Sequence, residues 1–154
     1  GDDLPAEELN ILVPGGPIEH YGWPYCYEDG LPNPEYPDAQ RCAGKVGPAL
    51  EMQAHSAPLG VVFYDHEQFP VEYRGDLFMA FHGSWNRSER TGYKVVRVEV
   101  EDGQPISYDD FATGWLTESG TVAGRPVAVE VGPEGSLYVS DDGTGRIWRI
   151  RWAG

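Results

Sequence analysis

Positions 82 to 87 hold the densest group of chemistry-bearing side chains in the sequence: His82, Ser84, Trp85, Asn86 and Arg87. They offer an imidazole, a hydroxyl, an indole, an amide and a guanidinium. A hydrolase would take Ser84 as nucleophile and His82 as base, with an acid such as Asp141. His82 and Ser84 are nearly adjacent, which makes a triad geometry awkward, and no Gly-x-Ser-x-Gly elbow is present. No Gly-x-Gly-x-x-Gly follows a strand, so the pattern argues against a dinucleotide site. Two cysteines and scattered histidines argue against zinc. Glu28, Asp29, Glu35 and Asp38 offer the oxygens that calcium prefers, but without the spacing of a calcium loop. A solvated acidic surface is the simpler reading of those four.

The loop at 82–87 must be held by the segments around it. Leu59 to Tyr64, Asp76 to Phe81 and Tyr93 to Val100 read as three strands, the last alternating Val96, Val98 and Val100 against Arg97, Glu99 and Glu101. Gly75 and Gly92 stand before the second and third. The order then returns: Ala57-Pro58-Leu59-Gly60-Val61 matches Arg125-Pro126-Val127-Ala128-Val129. Arg74-Gly75-Asp76-Leu77-Phe78-Met79-Ala80 matches Glu134-Gly135-Ser136-Leu137-Tyr138-Val139-Ser140. Thr91-Gly92-Tyr93-Lys94-Val95 matches Thr144-Gly145-Arg146-Ile147-Trp148. Ile106 to Trp115 reads as an outer fourth strand of the first copy. Repeats of about 40 to 50 residues with four short antiparallel strands mark β-propeller blades. The expected fold is therefore all-β, with about two to three four-stranded blades out of the about 4 to 8 of a natural ring. The expected division is a loop-rich segment over 1–50, a blade over 51–117 and a second blade over 118–154. A plain antiparallel sandwich is the competing fold, and it would not require the repeat.

The first fifty residues have little periodicity. Leu4 to Val13 suggests a helical turn and then a short strand. Pro14-Gly15-Gly16-Pro17 breaks what precedes it, and Gly30, Pro32, Pro34 and Pro37 oppose regular structure up to Cys42. Cys26 and Cys42 stand either as free thiols or as a disulfide. The disulfide is the favoured reading, because a loop with little core gains most from a staple, worth about 3 kcal/mol for a loop of this size. It places the chain in the periplasm or outside the cell.

The 154 residues carry a net charge of −14, with 40% hydrophobic and 12% aromatic residues, 20 glycines and 13 prolines. That composition is globular and turn-rich. The charge argues against nucleic acid and against anionic membrane surfaces. No apolar run approaches the ~20 residues of a membrane span. Gly1-Asp2-Asp3 is not a natural start, and the chain reads as a piece of something longer.

Five motifs in one order then point to a family: Tyr21-Gly22-Trp23-Pro24, His55-Ser56-Ala57-Pro58-Leu59-Gly60, His82-Gly83-Ser84-Trp85-Asn86-Arg87, Gly124-Arg125-Pro126-Val127, and Gly135-Ser136-Leu137-Tyr138-Val139-Ser140-Asp141-Asp142. Together they resemble the C-terminal part of the pyrroloquinoline-quinone (PQQ)-dependent glucose/sorbosone dehydrogenase family, in its sorbosone-dehydrogenase-like branch. The resemblance implies a six-bladed propeller that oxidises a sugar or small aldehyde, with PQQ at the top of the central channel and calcium beside it. It places Arg125 over the cofactor, where a planar guanidinium suits a tricarboxylate; the alternative is a surface arginine paired with an acid. It places His55 in the pocket lining, against the alternative of a loop histidine with no role. Asn86 and Arg87 fall where the family has a cofactor-contacting basic residue. Trp85 then either stacks on the cofactor or anchors its loop. Glu8 and Tyr21 match positions near structural calcium. The catalytic residue is unassigned: His20, His55, His66 and His82 all lie outside the family's catalytic motif, and Ala123 stands where this branch has a tryptophan. The chain is thus expected to be a cofactor-pocket segment that cannot complete the reaction alone. The alternatives are a non-catalytic binding module, or a homo-oligomer whose copies complete one ring.

Overall fold

The computed structural model describes residues 1–154 and is all-β apart from two short helical turns. The N-terminal region contains β1 (Glu7–Leu9), β2 (Cys26–Tyr27), β3 (Leu31–Pro32), the one-turn helix α1 (Ala39–Cys42) and β4 (Leu50–Met52). The helical turn expected from Leu4 is not formed. Instead β1 pairs antiparallel with β4, and its glutamates reach out of the element, Glu7 accepting from the Ala57 N–H and Glu8 from the Glu28 N–H. Those long-range bonds take the place of local helix formation. The proline-rich stretch is also more ordered than its composition suggests. β2 and β3 form a minimal hairpin, and Asp38 caps α1 by accepting from the Gln40 and Arg41 N–H groups, both at 3.1 Å. The expected disulfide is present between Cys26 and Cys42, their Cα atoms 6.0 Å apart.

The first blade is β5 (Pro58–Phe63), β6 (Leu77–Phe81), β7 (Lys94–Glu101) and β8 (Gln104–Ala112), in that order and all antiparallel. The outer strand predicted from Ile106 is β8. Asp102 (φ 50°) and Gly103 (φ 76°) form the turn before it; Asp-Gly adopts two successive positive φ values at low cost, which suits the twist of a hairpin. The second blade is β9 (Pro126–Val131), β10 (Leu137–Asp141) and β11 (Arg146–Ile150), a three-stranded sheet with β11 at an open edge.

Two apolar clusters hold these sheets together. Met52, Leu77, Met79, Phe81, Val96 and Val98 join the first blade to the β1–β4 sheet. Tyr64, Phe69, Phe78, Val95, Val129, Leu137 and Val139 join the first blade to the second. β6 therefore feeds both, Leu77 and Met79 on one side and Phe78 on the other, as strand periodicity requires. The two inner strands meet at Gly60, where an added Cβ would lie 2.6 Å from the Ala128 Cα, so the blades can approach this closely only with glycine there. No helix is long and apolar enough to cross a membrane.

The antiparallel order has one consequence for chemistry. The lead-in to β5 and the β6–β7, β8–β9 and β10–β11 loops all emerge at the same end of the two blades. His55, His82, Trp85, Asn86, Arg87, Arg125 and Asp141 lie at or next to that end.

Candidate functional site

The β6–β7 and β8–β9 loops enclose a cleft of about 980 Å³. Ser84, Trp85, Arg87, Tyr93, Thr117 and Arg125 are among its lining residues. Three arginines and two glutamates line it, a cationic balance in a chain whose net charge is −14.

Arg125 is held there from both blades. Its N–H donates to Asp141 Oδ1 at 2.8 Å. Its Nη2 donates to the Gly83 carbonyl at 3.0 Å, and its guanidinium carbon lies 5.6 Å from the Tyr93 ring centre. It makes no ion pair, so the arrangement is not that of a surface arginine neutralised by an acid. Tyr93 forms the floor. It is buried, sits at φ 56°, and donates its hydroxyl to the Ser84 carbonyl. Ser84 Oγ in turn accepts from the Thr91 N–H at 3.0 Å, which ties down both ends of the β6–β7 loop.

Asp141 is the hub beneath Arg125. Besides the Arg125 N–H, it accepts from the Thr144 N–H at 3.1 Å, the Thr144 hydroxyl at 2.7 Å and Trp148 Nε1 at 3.0 Å. Burial alone would raise its pKa. The donors from Arg125, Trp148 and Thr144 outweigh burial and hold it at about 2. An ionised carboxylate with this many donors is a structural clamp rather than a proton carrier at neutral pH.

The remaining predicted residues are placed differently. Trp85 is 86% exposed, which rules out its role as a buried loop anchor and leaves its ring open at the cleft mouth. Arg87 borders the cleft but spends its donors on the backbone carbonyls of Asp2, Ala54 at 3.2 Å and Glu89 at 3.2 Å, and its Nη2 pairs with Asp3 Oδ1 at 3.4 Å. Asn86 is exposed and lies outside the lining. His55 also lies outside it and donates Nε2–H to the Gly1 and Leu4 carbonyls at 2.9 and 3.1 Å. His82 pairs with Asp142, Nε2 to Oδ1 at 3.0 Å. Two parts of the cleft carry little signal in the sequence: Tyr93, marked only as a tyrosine straight after Thr91-Gly92, and the Thr117–Gly120 loop, which has no motif.

Glu8 and Tyr21 do not converge on a metal seat. Tyr21 donates its hydroxyl to the Ile11 carbonyl at 2.8 Å and to Glu19, while Glu8 is taken by the Glu28 N–H. No cluster of three or more His, Cys, Asp or Glu side chains forms a metal site. These two side chains therefore do not fit calcium as they stand.

With this geometry in hand, the relatives can be placed. An uncharacterized protein of Borreliella burgdorferi is 35% identical over 153 residues, covering 97% of this chain and 40% of that protein. A pyrroloquinoline quinone-dependent pyranose dehydrogenase of Coprinopsis cinerea is 29% identical, covering 96% of this chain and 25% of the enzyme. The holo form of that enzyme's PQQ domain superposes with a TM-score of 0.76 at 28% identity, over 96% of this chain and 44% of the domain. A calcium structure of a Trichoderma reesei protein of carbohydrate-active enzyme family AA12 gives 0.72 at 26%, over 95% of this chain and 42% of that one. The chain thus spans less than half the length of each. It is related to PQQ-dependent oxidoreductases, and its sheets are blades of a propeller of that kind. Since the family model described as TrAA12-like matches residues 31–153, a span holding both blades and every loop that lines the cleft, the chain belongs to the TrAA12-like family.

Proposed function

We propose that this chain supplies one wall of the quinone pocket of a PQQ-dependent dehydrogenase acting on a sugar or small aldehyde. The observation that carries this reading is Arg125: an arginine without an ion pair, locked by backbone bonds over an aromatic floor, in a positively balanced cleft of an acidic chain. None of the Arg125 bonds uses Nη1, so a donor remains for a cofactor carboxylate. The planar guanidinium, held beside the buried Tyr93 ring, suits a flat, anionic group. A quinone held there by Arg125 would supply a hydride acceptor for oxidation of the substrate carbon.

The residues of this chain bind and orient. Arg125 fixes the carboxylate end, and Asp141 fixes Arg125. Arg87 clamps the segment at Asp2 to the β6–β7 loop, so its part is to position rather than to contact. No histidine lines the cleft, which supports a proton acceptor contributed by a part of the enzyme outside these residues. The disulfide supports a periplasmic or extracellular site of action.

The test is a calorimetric titration of the chain with PQQ, repeated on Arg125→Gln. Saturable binding should weaken roughly 10-fold or more in the variant, the loss expected of a charge-assisted hydrogen bond. Equal binding by both proteins, or no saturation in the wild type, would overturn the reading.

A further inference from the structure

The cleft has a second chemical character at its mouth. Its inner end carries Arg125 over Tyr93. Its outer rim carries Trp85, Ser88, Glu89, and Thr117 to Ser119 of the β8–β9 loop. Glu89 and Glu118 stand there beside Arg87 and Arg90, and Arg90 donates Nη1–H to the Gly120 carbonyl of the rim loop itself at 2.7 Å. The rim therefore offers an exposed aromatic ring, hydroxyls and carboxylate acceptors, its two acids balanced by two arginines.

We infer that Trp85 and the Thr117–Gly120 loop form a subsite for a neutral sugar unit of an oligosaccharide, outside the position of the unit being oxidised. The claim rests on the sugar-dehydrogenase reading of the cleft for its meaning, but the binding it predicts does not need the quinone. What sets Trp85 apart from other exposed side chains is its place in the lining of a concave cleft, bordered by polar groups. The apolar ring face of a pyranose can cover Trp85, while Glu89 and Glu118 accept from its hydroxyls. An acidic sugar is disfavoured by the net charge of −14.

The loop opposite Trp85 is already ordered. Thr117 Oγ1 lies 2.9 Å from Ser119 Oγ, which lies 3.2 Å from Thr121 Oγ1. The Thr121 N–H donates to Thr117 Oγ1 at 3.0 Å, and a single bridge joins Leu116 to Val122 below. Hydroxyls fixed before binding lower the ordering cost of recognising a ligand. The cleft volume of about 980 Å³ is also at the upper end of the ~300–1,000 Å³ that holds one drug-sized ligand, so it leaves room beyond a flat cofactor.

The test is calorimetric titration of the cofactor-free chain with glucose, cellobiose and cellotetraose, repeated on Trp85→Ala and Trp85→Phe. Trp85 is so exposed that neither change should disturb folding. Affinity should rise at least 10-fold from glucose to cellotetraose. Trp85→Ala should abolish that rise and Trp85→Phe should retain most of it. A wild type that binds cellotetraose no better than glucose would overturn the subsite, as would an alanine variant that keeps the length dependence. PQQ titrations of the same variants separate the two readings. Unchanged quinone affinity in Trp85→Ala leaves Trp85 to the sugar, whereas a tenfold loss assigns it to the cofactor and overturns the subsite. Failure of the wild type to bind PQQ while still binding cellotetraose would count against the dehydrogenase reading alone.

Discussion

The two blades repeat one strand order, yet their far faces have opposite chemistry. In the first blade, the face turned toward the second carries Tyr64, Phe78 and Val95, all fully buried. Phe78 packs edge-on to Phe111, ring centres 4.6 Å apart, and stacks parallel to Tyr73. In the second blade the equivalent face carries Glu130, Tyr138, Ser140, Ile147 and Arg149. There Tyr138 donates to Glu134 at 2.6 Å, and Arg149 pairs with Glu134 at 3.1 Å and donates to Ser136 at 3.0 Å. Phe78 and Tyr138 occupy the same place in the repeat. One is core and the other is part of a polar surface, because a blade's burial is decided by its neighbour and not by its own strands.

The largest effect should come from the buried member of that pair. Phe78→Ala removes a ring that is 0% exposed from between two sheets, and should cost about 3–5 kcal/mol. Thermal or denaturant unfolding would read this as a large fall in midpoint. If the cost were no greater than that of Tyr138→Ala, the two blades would not share one core.

An intermediate effect should come from acid, and it should fall on the second blade. Asp141 has its pKa lowered from 3.8 to about 2, because the donors from Arg125, Trp148 and Thr144 outweigh its burial. A carboxylate with a depressed folded pKa contributes stability that is present above its unfolded pKa. That contribution is lost as pH falls through the folded value. The window is therefore from about pH 4 down to about pH 2, and the loss is about 2 kcal/mol. Unfolding midpoints of the wild type and Asp141→Asn, compared across this range, should differ most above pH 4 and converge near pH 2. A constant gap would mean that the carboxylate's charge is not what holds Thr144, Trp148 and Arg125 together.

The same contrast separates what the sequence could disclose from what it could not. Strand positions, the repeat and the disulfide were legible, because alternation, Gly–strand spacing and paired cysteines are local signals. Arg125 was legible as a motif residue. Its partners were not, since Gly83 lies 42 residues away and is joined to it only by the packing of one blade on the other. Arg87 shows the limit more clearly. It looked as available as Arg125, but its guanidinium is taken by carbonyls 85 and 33 residues distant. The hairpin and capped helix of the proline-rich stretch were hidden for a different reason, because two-residue strands and a four-residue helix are too short to show a period.

The smallest expected effect is on the open face of the second blade. Ile147 pairs with Ser140, as Val95 pairs with Ala80 in the first blade, so the two residues hold corresponding places. Val95 is fully buried, whereas Ile147 is 75% exposed. Removing side-chain atoms that already meet water leaves no cavity and loses little transfer energy, so Ile147→Ala should change stability by less than about 0.5 kcal/mol. Val95→Ala, leaving a cavity between packed sheets, should cost about 2 kcal/mol or more. The decisive reading is the unfolding midpoint of Ile147→Ala at two protein concentrations. A small change, independent of concentration, means that this polar face stays in water in the isolated chain. A loss above about 1 kcal/mol that grows with concentration means that a second copy covers the face, as a ring completed by copies of the chain would require.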